Sequence, residues 1–184
     1  MDMIVRLRFC VVCIVLLAFS GVRAYAQDHI SHIAIIDTQK IVKASKAGMS
    51  IREQVKAERA DFLDILDMRE KALREEEQDL LEKKDTIPKK EFLKQRKILE
   101  RKLLETSRFV KKSNRELEES HAIAMSKLQK KTFNIVSVIA EKKGYSLVLR
   151  RQDVFLAANA DNITDDVLKA LDAEIRTIPL ELKE

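Results

Sequence analysis

The chain has 184 residues, of which 35% are charged, a formal net charge of +5, three glycines and two prolines. Both cysteines, Cys10 and Cys13, lie at the extreme start, so the remainder offers neither a disulfide framework nor thiolate chemistry. No Gly-rich phosphate loop or nucleophile elbow occurs, and His29, His32 and His121 lack metal-ligand spacing, which argues against an enzyme and against any cofactor or metal.

Residues 1–26 read as an export leader. Arg6 and Arg8 form a positive n-region, and residues 9–19 are an unbroken apolar run. Ala24-Tyr25-Ala26 gives the small-x-small pattern that places cleavage after Ala26. The run is well short of the ~20 residues that span a bilayer. Cys13 follows Val11 and Val12 with no small residue before it, which disfavours a lipid-anchored product.

Residues 32–37 are a short β-branched run that reads as a strand, and Asp37-Thr38 caps a short helix over 39–46 before Gly48. From Gly48 to Gly144 there is no further glycine, and the one proline is Pro88. These residues cost about 1 and about 3 kcal/mol in a helix interior, so their absence predicts two long helices folded back on each other, an arm over 49–143 with its tip at 85–88. The ascending helix, 49–84, places Ile51, Val55, Phe62, Leu66, Leu73 and Leu80 on one narrow seam. The descending helix repeats it with Phe92, Leu99, Leu103, Val110, Leu117, Ala124, Leu128 and Ile135. Glu58, Arg69 and Glu76 interrupt the seam, either to set register or to let the arm bend. Thr86 is the expected N-cap of the second helix, with Pro88 in its first turn.

Lys142-Lys143-Gly144 ends the second helix. Residues 145–149 and 154–157 read as two more strands, joined by 150–153. Thr164, followed by Asp165 and Asp166, caps a last helix over 165–176, with Pro179 beyond it. The fold class is therefore mainly α: a long antiparallel hairpin projecting from a small β-strand body made of 27–48 and 144–184. That body has 63 residues and no staple, which is marginal for a lone core. Open strand edges add a second reason for several copies to associate. Ile33, Ile35, Leu147, Leu149 and Phe155 are the candidate shared core.

Charge separates the two helices. Residues 51–82 hold 11 acidic and 6 basic side chains, whereas 88–115 hold 3 and 11. Antiparallel pairing lays one beside the other and fixes direction. At the tip Lys83, Lys84, Lys89, Lys90, Lys94, Arg96 and Lys97 crowd together, either as a solvated face or as contacts for an acidic partner or an anionic lipid surface. A pI near 9.1 favours nucleic acid, but the leader, the scarcity of aromatics and the acidic neighbouring helix oppose it, and none is expected. A structural adaptor that docks a partner through its hairpin shares the helical pattern and is the alternative reading.

Three blocks carry a resemblance: Ile33-Ala34-Ile35-Ile36-Asp37 after a leader; Glu141-Lys142-Lys143-Gly144-Tyr145-Ser146-Leu147-Val148-Leu149; and Asn162-Ile163-Thr164-Asp165-Asp166-Val167-Leu168-Lys169. With the hairpin between them, the chain resembles the Skp/OmpH family of periplasmic chaperones over essentially its whole length after the leader. The resemblance implies a jellyfish-like homotrimer whose helical tentacles enclose a cavity. There, unfolded outer-membrane β-barrel proteins are held without ATP before membrane insertion. It also implies a lipopolysaccharide contact, but the family's arginine pair falls on Glu119-Ser120, with Lys111-Lys112 nearby and out of register. No lipid site is carried over. Arg150-Arg151 also departs from the acidic or small residue common in the family after that strand.

Overall fold

A computed structural model describes residues 32–182. The leader, its cleavage point after Ala26, and His29 lie outside these residues. The first described element is strand β1, Ile33–Ile36, which alternates between half-buried and buried residues. Asp37 ends it and caps helix α1, Thr38–Ala44, its carboxylate accepting from the Lys40 N–H at 2.8 Å. Ser45 then caps α2, Lys46–Glu82, accepting from the Gly48 N–H at 3.1 Å. The junction is tight. A Cβ on Gly48 would stand 2.0 Å from the Val42 carbonyl oxygen, so only glycine fits where α2 leaves α1. Arg52 reaches back to donate to the Val42 and Lys43 carbonyls and closes the end of α1.

Helix α3, Lys89–Lys143, descends from the tip and ends at Gly144, whose φ of 71° is the left-handed cap expected from glycine at that position. At 1.5 Å per residue α2 and α3 extend about 55 and about 80 Å. Thr86 does not cap α3. Pro88 occupies that position without a side-chain cap, while Thr86 Oγ1 donates to the Lys83 carbonyl and closes the tip turn instead.

Strand β2, Leu147–Arg150, pairs parallel with β1, Ile33 opposite Leu147 and Ile35 opposite Leu149. The expected strand over 154–157 is absent. Residues 151–153 form a 3₁₀ turn, Phe155 stands fully exposed and Leu156 is mostly exposed. Strand β3 is instead Asp161–Asn162, parallel to β1 on its other side, giving the order β2-β1-β3. Helix α4, Thr164–Glu174, follows. Thr164 is its first residue and not its cap: its hydroxyl accepts from the Asp37 N–H at 2.9 Å and donates to Asn162. Both side-chain capacities of Thr164 thus tie α4 to the end of β1 and to β3.

The main core joins the buried face of β1 (Ala34, Ile36) to α1 and to the roots of α2 and α3 (Ile51, Leu128, Ile135). It continues into α4 through Val167 and Leu171. A smaller cluster near the tip unites Leu73, Leu80 and Leu99 with Phe92. Between the two the seam thins, and Phe62, Leu66, Val110 and Leu117 are only half-buried. Leu103, expected in the seam, is 51% exposed. A helix drifts off a four-residue step, and the inward positions here fall on Thr106, Ser113 and Ser120, polar residues that a hydrophobic pattern does not register.

After α4 the chain runs back over the hairpin root as a strap, residues 175–182. Ile178 is buried, Leu180 half-buried, and Pro179 and Glu181 exposed, the two-residue alternation of an extended segment. The Gln54 amide donates to the Ile178 carbonyl at 2.8 Å and accepts from the Leu180 N–H at 3.1 Å. Lys127 pairs with Glu181, and Leu182 lies at a groove lined by Phe62, Phe109 and Leu117.

Candidate functional site

Parallel register places Ile33, Ile35, Leu147 and Leu149 together on the sheet face opposite the core. Leu147 is 47% exposed and the other three are half-buried, so the described chain leaves this face partly uncovered. Phe155 does not join them within the chain. It projects from the loop that follows β2, with Leu156 beside it.

The seven basic residues of the tip divide. Lys83 pairs with Asp79 and Arg96 with Glu100, each within its own helix. Among the described residues Lys84, Lys89, Lys90, Lys94 and Lys97 form no ion pair, and all are exposed. The sequence shows the basic excess over 88–115 but singles out only the tip as a cluster, and the exposed charge continues down α3. Lys90, Lys94, Lys97, Arg101, Arg108, Lys112 and Arg115 follow one another at steps of three, four or seven, and all are exposed. That spacing is the stripe opposite the seam. The signal was available in the sequence as a 3–4 repeat of basic residues. Lys102 of α3 pairs with Glu76 of α2 and joins the two arm helices by charge.

The arm also exposes large apolar side chains. Leu63, Met68, Leu81, Leu93, Leu103 and Leu104 are all at least half exposed. The interruptions of the seam are used. Arg69 stacks on Phe109, which in turn meets Phe62 at 5.6 Å between ring centres. Glu76 takes the Lys102 pair. The Ser120 hydroxyl is buried with no hydrogen-bond partner among the described residues.

Polar groups at the foot of the arm serve the joints. A hydrogen bond from Lys143 to Asp166 at 2.6 Å raises the lysine pKa and lowers that of the carboxyl. Tyr145 donates to Asp161 at 2.8 Å, and that bond raises the phenol pKa. These contacts fasten the end of α3 to β3 and α4. Among the described residues no group of three or more His, Cys, Asp or Glu side chains is placed to hold a metal ion. His32 and His121 are exposed and 89 positions apart in the chain. No helix among the described residues is long and apolar enough to cross a membrane.

Residues 32–171 match the family described as outer membrane protein (OmpH-like). Among solved structures, the chain is similar to a candidate OmpH-like outer membrane chaperone from Caulobacter crescentus CB15. The identity is 25% and the TM-score 0.79, and the match covers 84% of this chain and 92% of that one. None of the curated proteins matches the chain.

Proposed function

Because the chain belongs to the OmpH-like outer membrane protein family, we propose that it is a chaperone, and more specifically an ATP-independent periplasmic holdase for unfolded outer-membrane β-barrel proteins. The observation that carries this reading is the arm itself. A long hairpin bearing Leu63, Met68, Leu93 and Leu104 half exposed, beside lysines without ion pairs, offers many weak apolar and electrostatic contacts. An unfolded barrel chain exposes alternating apolar residues and needs that kind of distributed holding. Weak contacts keep such a client soluble and still releasable.

In this reading three copies join through Ile33, Ile35, Leu147 and Leu149, with Phe155 reaching a neighbouring copy. The arms then enclose a common cavity. The partly uncovered sheet face supports this, since an apolar face on a body this small is a liability when left in water. The leader over 1–26 delivers the chain to the periplasm. The tip cluster and its continuation along α3 draw in acidic segments of clients or an anionic lipid headgroup such as that of lipopolysaccharide. The test is direct: an unfolded β-barrel protein is diluted from urea into buffer with and without the chain, ATP being absent, and scattering is followed. Suppression at a stoichiometric ratio is expected, and aggregation at the uncatalysed rate would remove the holdase reading.

The adaptor reading keeps one observation in its favour. Leu81 is 60% exposed and Leu93 51%, so the tip is not made of charge alone. Substituting both by serine separates the two. An adaptor would lose its partner outright, whereas a holdase with contacts spread along the arm would lose little.

A further inference from the structure

The strap lies against the hairpin root in a way that its packing alone does not require. Its main chain is held by a side chain of α2: Gln54 reads the Ile178 carbonyl and the Leu180 N–H as a neighbouring strand would. An amide side chain that pairs with both groups of a main chain recognises extended conformation and ignores sequence. Alternate side chains of the strap, Ile178, Leu180 and Leu182, supply the apolar contacts. From Ile178 to Leu182 an extended chain advances about 13 Å. On α2 the stretch from Gln54 to Leu63 rises about 13 Å as well, so strap and groove run side by side. The groove beyond, about 460 Å³ between Phe62, Phe109 and Leu117, is lined by Leu182 but not closed by it: that leucine is still 40% exposed.

We propose that the track along α2 from Gln54 to this groove is a binding site for extended segments that alternate apolar and polar residues, and that the strap is the resident occupant of its first part, displaced when such a segment arrives. This rests on the chaperone reading and gives it an address on the arm. A transmembrane β-strand of a barrel protein has the same two-residue alternation and the same unpaired backbone when unfolded. The strap therefore presents the groove with the pattern of a client. Ile178 is sunk in the core and stays, while Leu180, Glu181 and Leu182 form the part that lifts. The Lys127–Glu181 pair is exposed on both sides and opposes that lifting only weakly.

The probe is a fluorescein-labelled peptide of alternating leucine and threonine flanked by lysines, titrated by anisotropy against the full chain. A Leu180→Ser, Leu182→Ser variant loosens the strap and keeps the buried Ile178. It is expected to bind the peptide about tenfold tighter than the parent, because the competitor for the groove is weakened. Gln54→Ala in that background removes two hydrogen bonds and is expected to return about tenfold. Helicity by circular dichroism should stay at the parental value in both. Equal or weaker binding by the loosened variant overturns the proposal, as does a Gln54→Ala change without effect. If the parent suppresses barrel aggregation and the loosened variant gains no peptide affinity, this inference falls alone. If the parent fails to suppress aggregation and the gain is seen, the groove stands and the holdase reading falls.

Discussion

The guanidinium of Arg69 on α2 lies 4.1 Å above the centre of the Phe109 ring on α3. A charged residue at a seam position thereby becomes part of the packing, its plane covering an aromatic face that would otherwise meet water. Replacing it by lysine keeps the charge and loses the stacking. Arg69→Lys is expected to cost about 1 kcal/mol, read as a lowered urea midpoint, and Arg69→Met less, since it restores apolar cover.

The partly uncovered sheet face makes assembly the expected outcome. The chain from Gln27 onward should have the mass of three copies by light scattering at micromolar concentration. Leu147→Asp with Leu149→Asp places two carboxylates on that face and should yield single copies whose arms remain helical. A monomeric mass for the parent chain would rule out the shared cavity.

Charge at the tip should act on rate. Reversing Lys89, Lys90, Lys94 and Lys97 to Glu is expected to slow capture of an acidic unfolded client and to flatten its dependence on salt, with unchanged helicity. Stopped-flow association at low and high ionic strength measures both. An association rate equal to that of the parent would return these lysines to a purely solvating role.

Amide exchange should not fall steadily from tip to body. The tip turn over 85–88 is expected to exchange fastest, as a two-helix end with little burial. Residues around Leu73, Leu80 and Leu99 should be slower because they own a core of their own. The stretch around Leu66 and Val110 should exchange faster again, where the seam thins. The root near Ile51, Leu128 and Ile135 should be slowest.

The Lys143–Asp166 pair supplies a pH dependence with a definite sign. The folded carboxyl has a depressed pKa, so its contribution is present above the unfolded carboxyl value and lost as pH falls through the folded one. The lysine pKa is raised, so its contribution is complete below the unfolded value and lost as pH rises through the folded one. Asp166→Asn should therefore lower the neutral plateau of the melting temperature slightly, flattening the acid limb, and leave the most acid end unchanged. Gly48→Ala, by contrast, should lower stability by about 2 kcal/mol or more at every pH, since its methyl meets the Val42 carbonyl.

Long-range pattern was legible and pairing was not. The run without glycine or proline located both arm helices within a few residues, and Gly144 marked the end of α3 because glycine alone takes its φ cheaply. Asp161 and Asn162 carry no β-forming signal. They become a strand because β1 presents them with an open edge and Thr164 fastens them there. Val154 to Ala157 carry that signal strongly and form no strand within the chain. Gln54 gave no hint of its part, since a glutamine on a helix reads as surface until something lies across it.

The two strands that pair most extensively come from opposite ends of the arm: Ser146 bonds to the carbonyl of His32, 114 positions earlier. The sheet is thus closed only once both arm helices have been made and the chain has folded back on itself. While that happens β1 has no partner and its row of amides is open to any other strand nearby. Zipping the hairpin brings the two strands together and removes most of the loop-closure cost that so long a separation would impose. The helices on which clients are proposed to rest also deliver one half of the sheet to the other, and a chain interrupted before Leu147 would possess an arm and no foundation for it.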